Sequence, residues 1–342
     1  MSSSISRRTT PWDGEVGLTV LQNFLKHHYK ERYEDRHPLL EATGETELIN
    51  SFEPKACPHC GHTDFKRNGR TRNGVSRYKC SDCKHTFTPI TGTVFDGHKV
   101  SLSEWIEYTL NIMRFISINA DSWNNRNAFT TSRYWMEKLF LVLEDHQRSV
   151  RLSGKVWLDE TFYRVRSEDV QRHADGSKLA GLSSNQMCIG VACDKERILC
   201  IFEGYGRTSQ KKTIETFSSH IEPGSILIHD KESAHKKLVT KLRLRSEAYD
   251  SRELKSLPDS KNPLNRINQV HARLKNFLNA HTGFKREKLQ GYLDLFSLVM
   301  NPPSTLLEKV EVIINLAFEN PKSLRYRDFY RIKSGAVAPL CK

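Results

Sequence analysis

No stretch of this 342-residue chain approaches the roughly 20 consecutive apolar residues that cross a bilayer. The opening Met1–Ser6, followed by Arg7 and Arg8, leads into no apolar core of signal-peptide length. A membrane-spanning or secreted protein is therefore not expected, and the expected location is the cytoplasm. Acid is in short supply: 40 Asp and Glu stand against 53 Lys and Arg, a formal charge of +13. That balance favours a polyanionic partner, because neutralising phosphates releases their counterions. Internal repeats and low-complexity segments are also missing, and the length suits two or three folded domains. Cysteine is used selectively. Cys188, Cys193, Cys200 and Cys341 have no CxxC spacing. The first three fall in predicted strands and read as small buried apolar residues of a reducing compartment.

The other four cysteines form Cys57-x2-Cys60-x19-Cys80-x2-Cys83. Two CxxC pairs at this separation offer four thiolates for one tetrahedral Zn²⁺, each pair on a tight knuckle. Pro58, His59 and Gly61 flank the first pair, and Ser81, Asp82 and Lys84 flank the second; most are turn residues. Lys66, Arg67, Arg70, Arg72, Arg77, Lys79 and Lys84 surround them. A basic zinc ribbon is a nucleic-acid-handling module. A disulfide framework has the same spacing but needs a secretory context, which the N-terminus lacks.

The expected organisation is a helical leader and linker over 1–50, the ribbon over 51–97, a helical region over 98–150, an α/β domain over 151–303, and a C-terminal helix with a basic tail over 304–342. In the leader, Val20, Leu21, Phe24 and Leu25 recur at helical intervals. The helical region opens with the capping-box pattern Ser101-x-x-Glu104, and Trp105, Tyr108 and Ile112 follow on one face. A polar break over 119–127 precedes Ser132, Trp135, Leu139, Val142 and Leu143. This suits a helix-turn-helix that reads DNA, or a plain helical hairpin that spaces two domains. From residue 155 the texture turns to strands: 156–162, 187–193 and 197–202, then a helix near 211–220 and a short buried strand over 224–230. Helices are expected over 266–281, 286–300 and 304–319. This is α/β, with an antiparallel start and a parallel continuation.

Alternation puts Trp157, Asp159 and Thr161 on one face of the first strand, and Val156, Leu158 and Glu160 on the other. An ionised Asp in such a strand needs a partner, either Arg164 or Arg166, or a metal ion. Asp230 ends a buried strand, where α/β domains gather ligands, although it could equally cap a following helix. On neighbouring strands the two carboxylates could share two Mg²⁺ or Mn²⁺ ions about 3.5–4 Å apart, the arrangement that cleaves phosphodiesters. A third ligand would come from a later helix: Glu253, Asn265, Asn268, Glu287 or Asp294. Asn268 and His271 lie three apart, on one helical face, with Lys275 a further turn along.

The order of these features resembles the insertion-sequence fifteen-ninety-five family (ISXO-two-like) of bacterial DDE transposases. The resemblance is carried by the zinc pattern, Ser101-Leu102 with Trp105, Asp159-Glu160-Thr161 and Asp230 after an apolar strand. Asn268-Gln269-Val270-His271, Tyr292-Leu293-Asp294-x-Phe296 and Asn301 complete it, from about Ala56 to Asn301. It implies a ribonuclease-H-like fold and Mg²⁺-dependent DNA cleavage and strand transfer. It further implies a catalytic set of Asp159, Asp230 and Asn268, with a Glu or Lys commonly three residues after the Asn. Here His271 stands at that later position and, when neutral, adds no negative charge, so its expected role is to orient the site or contact phosphate. The implied partners are double-stranded DNA, as element terminal repeats and target, and further copies of the chain on that DNA. The rival reading is a non-catalytic zinc-ribbon DNA-binding regulator derived from a transposase.

Overall fold

Two sheets organise the chain. In the computed structural model the described residues are 42–97, 102–124, 128–231, 233–254, 256–281 and 283–331. The expected leader helix near Gly17–Tyr33, Ser101 of the capping box, Cys341 and the basic tail from 332 onward lie outside them. The stretch read as a linker holds a helix, α1 (Ala42–Ser51). It is tied to the ribbon hairpin by Asn50, whose Nδ2 donates to Gly74 O (3.2 Å) and whose Oδ1 accepts from Ser76 N (2.8 Å).

The small sheet runs β1 (Phe65–Arg70), β2 (Ser76–Cys80), β3 (Thr86–Phe87), antiparallel throughout. Its own core is little more than Tyr78, Phe87 and Phe65, ring on ring. That is a small apolar core for three short strands. Lys66, Arg67, Arg70, Arg72, Arg77, Lys79 and Lys84 line its surface, most of them fully exposed.

Helices α2 (Leu102–Met113), α3 (Ile118–Asn124) and α4 (Phe129–Leu143) follow. The expected stripe is real: Trp105, Tyr108 and Ile112 are completely buried, as are Leu139 and Leu143. The α2 N-terminus is met by Glu45 of α1, whose carboxylate accepts from Leu102 N at 3.0 Å and from Ser103 Oγ at 3.3 Å. At the other end Phe115 takes φ 63° and stops the helix. The buried Lys138 of α4 donates to Val94 O, joining these helices to the segment that leaves the ribbon.

The large sheet contains β4 (Lys155–Arg164), β5 (Gln186–Cys193), β6 (Ile198–Tyr205), β7 (Ile226–Asp230) and β8 (Arg245–Tyr249), in the order β6-β5-β4-β7-β8. The first three are antiparallel in sequence, and β7 and β8 continue parallel to β4. That order and those directions are ribonuclease-H-like. The strand β8 was not expected: Arg-Ser-Glu-Ala-Tyr is short and polar, and it pairs only because β7 offers it an edge.

Each face of the sheet is covered. Val156, Leu158, Ala192, Leu199 and Leu227 pack on one face against Phe217 of α5 (Gln210–Phe217) and Leu238 of α6 (Lys236–Leu242). The other face carries Ile189, Val191, Cys200 and Ile228 against α7 (Asn265–Ala280) and α8 (Leu289–Met300). Cys188, Cys193 and Cys200 are buried in strands, as expected. Two side chains close the outer edge of β6. Asn301 accepts from Ile198 N (2.6 Å) and donates to Ile198 O (2.9 Å). Gln290 accepts from Phe202 N (2.9 Å) and donates to Cys200 O (3.4 Å). Such mimicry of a neighbouring strand satisfies the open ladder and blocks pairing with another chain. Helix α9 (Leu306–Glu319) completes the helical core. No helix among the described residues is long and apolar enough to cross a membrane.

Candidate active site

In the ribbon, Cys57 and Cys83 Sγ lie 3.7 Å apart, Cys60 and Cys80 Sγ 3.6 Å apart, and all four sulfurs fall within 4.8 Å of one another. A tetrahedron with Zn–S bonds of ~2.3 Å has edges of about 3.8 Å, so the spacing fits one such ion. The knuckles form as the turn residues suggested: Gly61 and Lys84, each just after the second cysteine of its pair, take φ 77° and 61°.

In the α/β part, β4 and β7 pair in parallel from Lys155↔Ile226 to Leu158↔His229. Asp159 and Asp230 are the next residue on each strand, so the two carboxylates sit side by side just past the end of the ladder. Alternation puts Asp159 on the face of Trp157, which α7 covers, while an Asp230 oxygen lies within 4.8 Å of ring nitrogens of His229 and His235. An arginine partner for Asp159 does not occur among the described residues. Arg166 pairs with Glu168 at 2.6 Å, and among the described residues no Lys or Arg nitrogen comes within 4.0 Å of Asp159. After Asp230 a 3-10 turn over Ser233–His235 leads into the helix that starts at Lys236.

Asp159 Oδ1 accepts from Glu160 N at 2.8 Å, and Oδ2 faces His271 Nδ1 at 3.9 Å. Burial, then the charges of Asp230 and Glu160, push the Asp159 carboxyl up to about 7. Burial, then the charge of Lys275, pushes His271 down to about 4, so its ring is neutral at physiological pH. His271 Nε2 is buried without a hydrogen-bond partner. Asn268 is exposed one turn earlier on α7, and its side chain makes no hydrogen bond among the described residues. A crowded carboxylate held without a cation, beside an orphaned ring nitrogen, is a donor set that fits a divalent ion.

The remaining candidates lie elsewhere in bonding terms. Glu253 is exposed in a single helical turn, Asn265 stands at the start of α7, and Glu287 pairs with Lys285 at 3.3 Å. Asp294 is buried and its carboxyl is pushed up to about 7 by that burial. It accepts from Gln290 Nε2 at 2.7 Å, which aims that amide at the β6 edge. Its work is to hold the sheet edge.

One cluster escaped the sequence reading. Behind the carboxylate pair, His235 Nε2 bonds Glu160 Oε1 (3.0 Å) and His235 Nδ1 bonds His229 Nδ1 (3.0 Å). His229 Nε2 in turn bonds Ser246 Oγ of β8 (2.9 Å). Ligand atoms of His229, Asp230 and His235 all lie within 4.8 Å of one another. Burial works against charge on His235, but the Glu160 bond and the charges of Glu160, Asp230 and Asp159 carry it above its ordinary value. His229 is pushed down to about 4 by burial and by His235. The available signal was alternation: an acid on the buried face of β4 demands a partner.

The family model of the ISXO2-like transposase domain matches residues 151–298. An uncharacterized protein in transposable element ISH50 of Halobacterium salinarum is 30% identical over 131 residues, which cover 37% of this chain and 42% of that protein. The chain thus spans about two fifths of the length of the relative it matches. Two solved structures are distantly similar. The catalytic domain of Mos1 mariner transposase is 14% identical over 54% of this chain and 90% of its own, with a TM-score of 0.30. A simian T-cell lymphotropic virus intasome in complex with PP2A regulatory subunit B56 gamma is 10% identical over 56% and 67%, with a TM-score of 0.29.

Proposed function

We propose, from the match of residues 151–298 to the ISXO2-like transposase domain, that the chain is an insertion-sequence transposase that cuts and joins DNA with divalent cations. The supporting observation is the placing of Asp159 and Asp230 one residue past the last β4–β7 pair, with, among the described residues, no Lys or Arg partner for Asp159. Asp159 and Asp230 would hold Mg²⁺ or Mn²⁺. Asn268, at the mouth, would complete the site, and His271 would orient Asp159 or contact phosphate. Bound cations supply charge neutralisation at a scissile phosphate and a more acidic attacking hydroxyl. The chain's own residues hold the carboxylates at one spot, keep one side of the site dry through α7, and offer a neutral ring that does not repel the ions.

The ribbon, holding one structural zinc on Cys57, Cys60, Cys80 and Cys83, and the helices of 102–143 would bind the element's terminal repeats. Their exposed Lys and Arg would bind backbone phosphates, which gives affinity and register without sequence information. Two ends must be handled, so the working form would be an oligomer on DNA. The domain limits expected from sequence stand as part of this proposal. The experiment is Mg²⁺-dependent cleavage of element-end DNA by the full chain and by Asp159→Asn, with folding followed by circular dichroism. Loss of cleavage in a folded variant supports the reading; equal cleavage removes it in favour of a DNA-binding regulator.

A further inference from the structure

The β4–β7 backbone ladder stops at Leu158↔His229, one residue short of the two carboxylates. Beyond this last pair, no β4–β7 ladder pairing holds the side chains of Asp159 and Asp230. Yet a metal site needs their spacing held to a fraction of an ångström.

What spans the gap is a set of buried side chains. Glu160 directly follows Asp159 and points to the other face of β4, and His229 directly precedes Asp230, an oxygen of which lies within 4.8 Å of ring nitrogens of His229 and His235. The His235 ring sits between Glu160 and His229 and bonds both, at 3.0 Å on each side. His229 carries the connection on to Ser246, 2.9 Å away on β8. Three strands are thereby cross-linked at the level of the two aspartates. The chain of bonds is dry: the Glu160 side chain is 6% exposed and that of His235 is fully buried. A carboxylate can only accept, so His235 Nε2 donates to Glu160, and Glu160 Oε1 is committed to that bond.

We infer that Glu160, His235 and His229 are positioning residues, a buried clamp that locks the end of β7 to β4 and fixes Asp230 beside Asp159. Glu160, the middle of Asp-Glu-Thr, is then not a metal ligand despite its neighbour. The inference rests on reading Asp159 and Asp230 as cation ligands. Groups that orient metal ligands from behind typically change metal affinity 10–100-fold when removed.

The test is Mn²⁺ binding by the full-length protein, measured by calorimetry and by the electron paramagnetic resonance of bound Mn²⁺. Urea midpoints monitor the fold. Glu160→Gln keeps the reach and the accepting oxygen but loses the charge; Glu160→Asp keeps the charge but falls one methylene short of His235. A clamp predicts that Glu160→Gln binds Mn²⁺ within about threefold of the parent, while Glu160→Asp and His235→Phe bind about 10–100-fold more weakly. In cleavage assays the same two should lower kcat and leave KM for DNA unchanged. The opposite order, with Glu160→Gln as damaging as Asp159→Asn and Glu160→Asp tolerated, would make Glu160 a ligand and overturn the clamp. Parent-like Mn²⁺ affinity in Glu160→Asp and His235→Phe would overturn it as well. If His235→Phe does not fold, the Gln and Asp variants decide alone. If Asp159→Asn binds Mn²⁺ as the parent does, or the parent takes up none, the failure belongs to the underlying reading of the site.

Discussion

Replacing Asp159 by Asn should stabilise the protein when divalent cations are absent. The Asp159 carboxyl rises from its ordinary 3.8 to about 7, through burial first and the Asp230 charge second. The native state therefore holds a proton that the unfolded chain has released, across the window from about pH 4 to pH 7. Stability from this group is fully present below that window and is lost as pH rises through the native value. About three units at 1.36 kcal/mol each set a ceiling near 4 kcal/mol, and a side chain 24% exposed to water brings the expected effect to about 2–4 kcal/mol. Asn carries no charge to bury. Urea midpoints in buffer free of Mg²⁺ and Mn²⁺ should show Asp159→Asn more stable than the parent at pH 8 and equal to it near pH 4. A chelator is unsuitable, because it would also strip the ribbon. Saturating Mn²⁺ should reverse the order, since only the parent gains from binding. An Asn variant no more stable than the parent at pH 8, or an advantage that does not change with pH, would refute the reasoning.

Elemental analysis should find one zinc per chain, and Cys80→Ser should lose it together with the ribbon's β1–β2 amide protection; retention of both would exclude a structural metal there. Arg70, Arg72 and Arg77 replaced by Ala should weaken binding to element-end DNA and lower the salt slope by about one unit for each phosphate no longer neutralised. Unchanged affinity would make the ribbon a protein-binding or purely structural module. Asn301→Ala strands both backbone groups of Ile198 at the β6 edge, and at about 1–3 kcal/mol per buried group it should cost about 2–6 kcal/mol by urea unfolding. A decrease below about 1 kcal/mol would mean that the edge is satisfied in another way.

Features carried by local pattern were legible from the chain. The alternation of Val156, Leu158 and Glu160 against Trp157, Asp159 and Thr161 matches the two faces of β4, because one core packs on each. The zinc pattern needed only spacing and turn residues. The placing of Asp159 beside Asp230 followed once strand order was expected to turn parallel. Features set by non-local contacts were not legible. Helix α1 shows little of its own pattern and depends on the ribbon hairpin through Asn50. The strand β8 is too short and polar to announce itself. Asp294 is one of five polar candidates that composition does not separate, and its partner is Gln290, four residues back. His235 lies 75 residues from Glu160, and no spacing rule connects them.

The central claim is that Asp159 and Asp230 share divalent cations. The most direct measurement is anomalous scattering from Mn²⁺ in a crystal of the full-length protein. The account predicts Mn²⁺ peaks at bonding distance, ~2.0–2.3 Å, from carboxylate oxygens of both Asp159 and Asp230, on the face covered by α7. Saturating Mn²⁺ with no peak at that pair, or peaks ligated by only one of the two carboxylates, would contradict it.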